Sequence, residues 1–292
     1  MRIRFTGAIV GVAVAAAVAL AVIPLGGQAR GAAPAPPPPP AGRGTGAAAP
    51  AQARPAARQA RIAGHPNFNG IWQAMGTAHW NLEDHSASAT PIWQLGALYA
   101  VPAGQSVIEG GTIPYLPAAL KQRDENMKGW PKSDPEAKCY MPGIPRATYM
   151  PYPFQIVQGQ RDILFVYEYA SSNRIVHMSN HTEAPVDSWM GWSNGKWDGD
   201  TLVIEVNGFN DATWFDRAGN HHTEGLKVTE RYSLNGENHI NYQATMEDPK
   251  TFSRPWTIRL PLYRRLEPNV QLLEFKCVEF SEELLYGDLK KK

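Results

Sequence analysis

The sequence predicts a mainly β fold: a single curved antiparallel sheet or barrel, with one short helix and a Pro-rich irregular N-terminal third. Three observations point there. From Gln155 onward, short apolar runs recur between turn residues. Tight turn signals join consecutive runs, which makes sequence neighbours antiparallel. Strands and helices do not alternate, which argues against a parallel α/β sheet.

The expected strands are Ile163–Tyr169, Arg174–Met178, Trp189–Trp192, Thr201–Val206, Leu226–Tyr232, His239–Met246, Thr251–Leu260 and Val270–Phe280. Asn194-Gly195 reads as a two-residue hairpin turn after Trp192. Asp198-Gly199 reads as a second turn and Leu234-Asn235-Gly236-Glu237 as a third. The helix is expected at Leu116–Lys128, with Pro117 suited to its first turn and Gly129 to its end. Between Pro131 and Pro153 six prolines argue against regular structure.

Upstream of the fold, the chain reads as an export apparatus. Arg2 and Arg4 precede an apolar run from Ala8 to Leu25, and Gly27-Gln28-Ala29 supplies small residues for cleavage. The alternative is a retained anchor, since the run is close to the minimum for a spanning helix. Residues 1–29 are thus a signal peptide by expectation, and the protein periplasmic or secreted. Residues 30–63 form an Ala/Pro-rich spacer with Pro36 to Pro40 at its centre. Ile62 is its one large apolar side chain, too little to offset the entropy of ordering, so it is expected to be disordered. Residues 64–292 form the globular domain.

Charge is divided along the same boundary. The first 61 residues hold seven Arg and no acid, and the rest holds 21 basic against 27 acidic residues, a net of −6. A mildly acidic domain is a poor partner for nucleic acid. After signal cleavage no stable membrane span is expected. Cys139 and Cys277 are a disulfide candidate in an oxidising compartment.

Chemistry is marked less clearly. Motifs for phosphate, dinucleotide, zinc-protease and nucleophile-elbow sites are missing, so neither an organic cofactor nor a metal is expected. One clue is Glu230, which shares a strand face with Leu226, Val228 and Tyr232. A carboxylate among apolar neighbours needs a partner or a wet cavity. Glu205 poses the same problem in Thr201–Val206. The His and acids near the turns, His177, His181, Glu183, His221, His222 and Glu224, suit acid–base work or a metal, or are simply solvated. The catalytic candidates are His222 as base or acid, Asp216 or Glu230 to orient it, and Arg231 to hold an anionic group. The Arg264-Arg265 pair is a second possible anion clamp. Trp189, Trp197, Trp214 and Trp256 are candidates for an aromatic ligand wall, or are core filling.

The run Ser188-Trp189-Met190-Gly191-Trp192-Ser193, with Gly195, Trp197 and Gly199-Asp200-Thr201-Leu202-Val203-Ile204-Glu205, resembles a large family of uncharacterised secreted bacterial proteins. Further matches are Trp214-Phe215-Asp216, His222, Glu230-Arg231-Tyr232, Asp248-Pro249, Pro255-Trp256, Cys139 with Pro142-Gly143-x-Pro145-Arg146, and Cys277-x-Glu279. The resemblance spans about Cys139 to Phe280. It implies secretion and singles out His222, Glu230, Arg231 and Asp216, but implies no activity. Gly70-x-Trp72 is similar to the opening of lipocalin-type barrels, which implies a barrel around one small ligand.

Three functions are therefore expected in competition. The first is an exported β-barrel-like protein binding a small amphipathic or apolar ligand. The second is a cofactor-independent hydrolase or lyase/isomerase with a His/carboxylate pair. The third is a structural envelope protein. The sequence leaves the oligomeric state open.

Overall fold

In the computed structural model, which describes residues 59–89 and 100–275, the alternating strands close on themselves. A short hairpin, β1 (Arg61–Ile62) and β2 (His65–Pro66), precedes the barrel. Nine strands then form a closed β-barrel: β3 (Gly70–Ala74), β4 (Phe154–Gln158), β5 (Ile163–Tyr167), β6 (Asn173–His177), β7 (Trp192–Asp198), β8 (Thr201–Asn207), β9 (Lys227–Leu234), β10 (His239–Glu247) and β11 (Trp256–Arg264). Each strand pairs with its sequence neighbours, and β11 returns to β3. Closure removes the exposed strand edges that invite aggregation.

The strand pairs are antiparallel except one. β6 and β7 run parallel, because residues 178–191 carry the chain back before β7 starts. Only Val176↔Ser193 and His177↔Asn194 are in register there, against eight residue pairs between β10 and β11. The expectation of a wholly antiparallel sheet is corrected at this seam.

Inward positions carry the core. Phe154, Phe165, Ile204, Val228, Tyr232, Tyr242, Ile258 and Leu262 are all buried in one apolar cluster. Gly70 has φ +143°, a conformation other residues rarely adopt, and it packs under the Arg264 guanidinium, which lies 4.0 Å from the Trp72 ring centre. Burying large aromatics on a closed sheet is the dominant stabilising term.

Several boundaries differ from the sequence reading. Asn194-Gly195 lies inside β7, and the turn is made at Asp198–Thr201 instead. With two turn signals four residues apart, the longer strand pairing is favoured. Residues 251–255 do not belong to β11, which starts at Trp256. Residues 270–275 form no strand, and 276–280 lie outside the described residues. β1 occupies Arg61–Ile62, within the segment expected to be spacer. The residues of the signal peptide and residues 30–58 of the spacer lie outside the described residues, as does Cys277, and with it the expected bond to Cys139.

Two helices lie in the irregular segments. α1 (Pro117–Gly129) matches the expected helix and buries only Ala119. α2 (Arg146–Tyr149) was not expected among the prolines, yet all four of its residues are buried. Pro145 precedes it, where a missing N–H costs nothing. Among the described residues, no helix is long and apolar enough to cross a membrane.

Arg146 reaches Asp134 through two parallel hydrogen bonds of 2.9 and 2.8 Å, both groups being buried. Glu136, also buried, receives two bonds of 2.9 Å from Arg217. Arg217 in turn lies 4.4 Å above the Trp80 ring. Removing one partner of such a pair strands a buried charge. Asp134→Ala is therefore expected to destabilise by about 3 kcal/mol or more. Glu205→Ala, which breaks only an exposed pair with Lys196, is expected to change stability by about 0.5 kcal/mol or less. Urea unfolding of the two variants checks both.

Candidate functional site

Strand alternation points Glu230 inward, as its neighbours Val228 and Tyr232 require. It is fully buried. Its Oε1 accepts hydrogen bonds from the hydroxyls of Tyr232 (2.8 Å) and Tyr242 (2.7 Å), and its Oε2 from Nη1 of Arg174 (2.6 Å). Arg174, also pointing inward, donates further to Ser193 Oγ at 3.3 Å and Tyr232 Oη at 3.2 Å. Its guanidinium carbon is 4.7 Å from the Phe165 ring centre. Burial alone would lower the Arg174 pKa, but the Glu230 charge and hydrogen bond together with the neighbouring Tyr167 and Tyr232 outweigh it and hold the group well above its ordinary value. Burial, and then the Glu230 charge, push the Tyr232 and Tyr242 hydroxyls well above theirs, so both stay protonated donors.

Arg231, one residue on, points outward. It pairs with Asp198 at 2.7 Å, and both are solvent-exposed. Glu205 is likewise on the outer face. Arg265 pairs with Glu267 rather than joining Arg264 in a clamp.

His222 sits in the segment before β9, buried against Phe209 and Phe215. Its Nδ1 is 2.8 Å from the Thr223 carbonyl and its Nε2 is 2.6 Å from Thr213 Oγ1. The neutral ring satisfies both by donating from Nδ1 and accepting at Nε2. Burial pushes its pKa down to about 4. Asp216, fully buried, accepts from the backbone N–H of Leu82, Ala218 and Asn220 and from the Asn220 side chain. Burial pushes its pKa up to about 6 despite these donors. Among the described residues, no hydrogen bond joins His222, Asp216, Glu230 and Arg231 to one another. The candidates fall into separate environments: the loop layer (His222 and Asp216), the barrel interior and the outer surface.

The four tryptophans are dispersed as well. Trp256 is core, edge-on to Phe215 and Phe252. Trp214 is buried, in a bridge to His221. Trp197 stacks on His65 of β2, with ring centres 4.3 Å apart. Trp189 stacks on Tyr140 at 5.0 Å.

Trp189 marks the most distinctive concavity. On β6, the register with β7 begins at Val176, so Asn173, Arg174 and Ile175 lie beyond the paired stretch. The strands leave a wedge there, and a cleft of about 470 Å³ occupies it. Its walls include Trp189, Trp192, Met141, Met190 and His177, and Arg174 and Ser193 connect it to the interior network. The His177 ring is stacked on Trp192 at 4.2 Å. Gly191 makes the tight bend between the two tryptophans with φ +67°, and a Cβ there would meet Val206, Asn207 and Phe209 within 3 Å. Arg174 was not singled out from the sequence. The available signal was its shared face with Val176, which places an arginine on the core side of a strand.

No protein-family model matches the chain, and no curated protein is detectably similar to it.

The neutral His222 has a consequence for pH. Its folded pKa lies below the unfolded value of about 6.5, so the stability it contributes is complete above that pH and is lost as the pH falls toward 4. Asp216 acts in the opposite sense, since its raised pKa costs stability as the pH climbs through 6. Comparing the wild type with His222→Asn removes the shared Asp216 contribution. Between pH 7 and 5 the wild type is expected to lose about 2 kcal/mol more than the variant, read from urea midpoints at each pH.

Proposed function

We propose that the protein is an exported barrel, periplasmic or secreted, that binds a small amphipathic or apolar ligand in the cleft at the β6–β7 seam. Export rests on the N-terminal charge, apolar run and small-residue cleavage pattern, and a Cys139–Cys277 disulfide would suit that compartment.

One observation carries the binding reading. β6 and β7 are joined by only two residue pairs, and the cleft beside them is lined by indole rings and methionines together with Asn173, Arg174, His177 and two serines. A volume of several hundred Å³ with that lining is the usual form of a small-molecule site. The catalytic reading is less supported, because both ring nitrogens of His222 are already engaged by Thr213 and Thr223.

The test uses 6-propionyl-2-(dimethylamino)naphthalene, a neutral fluorescent naphthalene ketone whose emission shifts to the blue in apolar surroundings. Binding to the purified protein is expected to give a saturable blue shift. Trp189→Ala is expected to weaken it at least tenfold, about 1.4 kcal/mol, and Trp256→Phe, in the core, to leave it unchanged. The reading fails if no saturable shift is seen, or if Trp189→Ala binds as well as the wild type.

A further inference from the structure

The seam leaves a strand edge open. Tyr167 N–H donates to the Ser172 carbonyl at 2.8 Å, so these two residues are a hydrogen-bonded pair of the β5–β6 ladder. Such pairs alternate with non-bonded ones along an antiparallel ladder. Asn173 and Ile175, opposite Val166 and Leu164, therefore turn their N–H groups away from β5 and toward the seam. The ladder to β7 starts only at Val176. Among the described residues, no strand meets these two N–H groups or the Asn173 carbonyl.

The side chains beside that edge suit an apolar chain segment. Ile175 and Met141 of the cleft wall are exposed, as is Tyr140, which stacks on Trp189. The ionisable groups of the wall are Arg174, which points inward to Glu230, and His177, which is stacked on Trp192. An apolar segment needs no charge partner from either. An open edge flanked by apolar side chains is the form that takes an added strand.

The protein's own chain arrives at this place. Leu273 N–H donates to Glu168 Oε2 at 2.8 Å, and the Phe275 ring centre lies 4.7 Å from that of Tyr169. Glu168 and Tyr169 belong to the β5–β6 connection, which ends beside Asn173. The Tyr169 hydroxyl donates to the Glu136 carbonyl at 2.5 Å, and the same carbonyl accepts from Cys139 N–H at 2.9 Å. Phe275 thus packs on the residue that links the two walls of the cleft, one continuing into Asn173 and the other into Cys139, Tyr140 and Met141. Lys276-Cys277-Val278-Glu279-Phe280 follows, and in an extended segment Val278 and Phe280 share one face while Glu279 takes the other. Two extended residues reach about 7 Å, enough to carry Cys277 from Phe275 toward Cys139.

We propose that residues 276–280 dock on the β6 edge with Val278 and Phe280 over the cleft, latched by a Cys139–Cys277 disulfide, and compete there with the ligand. The competition rests on the cleft being the ligand site, whereas the docking does not. The latch closes by thiol–disulfide exchange: the two thiols give up two protons and two electrons, the S–S bond forms, and an oxidised dithiol donor is reduced to two thiols. Tethering gives the segment a high effective concentration, so it displaces a weak ligand and yields to a tight one.

Amide exchange tests the docking on the whole protein, purified without reductant and isotope-labelled at Asn, Ile and Arg. The Asn173 and Ile175 amides are expected to exchange at least about tenfold more slowly in the wild type than in Cys277→Ser or Phe280→Asp. The Arg174 amide faces β5 and is expected to be unchanged, as is every amide in Glu279→Gln. The fluorescent naphthalene ketone tests the competition: Cys277→Ser and Phe280→Asp are expected to bind it about fivefold tighter than the wild type, or more. A variant that only loosens the barrel loses affinity instead. Equal exchange at Asn173 and Ile175 in the wild type and both variants overturns the docking, and so does acceleration that extends to Arg174. Free thiols in the wild type overturn the latch. Unchanged ketone affinity in both variants overturns the competition. If no form binds the ketone, the function proposed above fails, and amide exchange alone decides the docking.

Discussion

Glu230 has no access to water, and its carboxylate is satisfied entirely by side chains, two of them from other strands. Arg174 comes from β6, Tyr232 from β9 beside it, and Tyr242 from β10. Burying an ion pair is costly unless the geometry is good and the remaining lone pairs are met, and here both conditions hold. The network also acts where the backbone does least. β6 and β7 share two register pairs, fewer than any other neighbours in the barrel. Arg174 joins β6 to β7 through Ser193 and to β9 through Glu230. Side chains thus hold the inner side of the seam where ladder hydrogen bonds are few, and the outer side is free to open into the wedge lined by Trp189 and Trp192.

α2 couples this interior to the irregular segments. Thr148 Oγ1 lies 3.5 Å from Tyr232 Oη. Two residues earlier, Arg146 anchors Asp134 and Glu136. Tyr149 donates to the Phe215 carbonyl at 2.8 Å, and Phe215 packs on Trp256 of β11. Four consecutive residues therefore touch both buried charge clusters and the apolar core. Asp216, His222 and Asp248 hold the loops from within: each has its polar atoms engaged by local backbone or hydroxyl groups. A loop layer with this much internal satisfaction can be buried without stranding its backbone groups.

Much of this was legible in the sequence, and the failures have physical causes. Period-two alternation located most strands and placed Glu230 inside, because a strand face is fixed by parity alone. The same parity argument was available for Arg174 and for the outward Arg231 and Glu205. The direction of β7 was not available: Asn194-Gly195 carries a strong local turn preference, and only the pairing of Thr201–Asn207 along the whole of Trp192–Asp198 overrides it. α2 was hidden because proline spacing reports what the backbone avoids, and its four residues are stabilised by distant partners, Asp134 and Phe215 among them. The tryptophans were close in sequence, yet each was assigned by strand parity and loop path to a different environment. Trp192, three residues after Trp189, was not carried into the ligand wall.

The coupling between Arg174 and Glu230 is the most direct measure of whether side chains hold the seam. A double-mutant cycle with Arg174→Met and Glu230→Gln, read by urea unfolding, isolates it. Each single change strands one buried partner and is expected to cost about 3 kcal/mol or more. The double variant, with no buried charge and with an acceptor kept for both tyrosines, is expected to cost at least about 2 kcal/mol less than the sum. Additivity within about 0.5 kcal/mol would contradict the account, because the two groups would then contribute to the barrel independently.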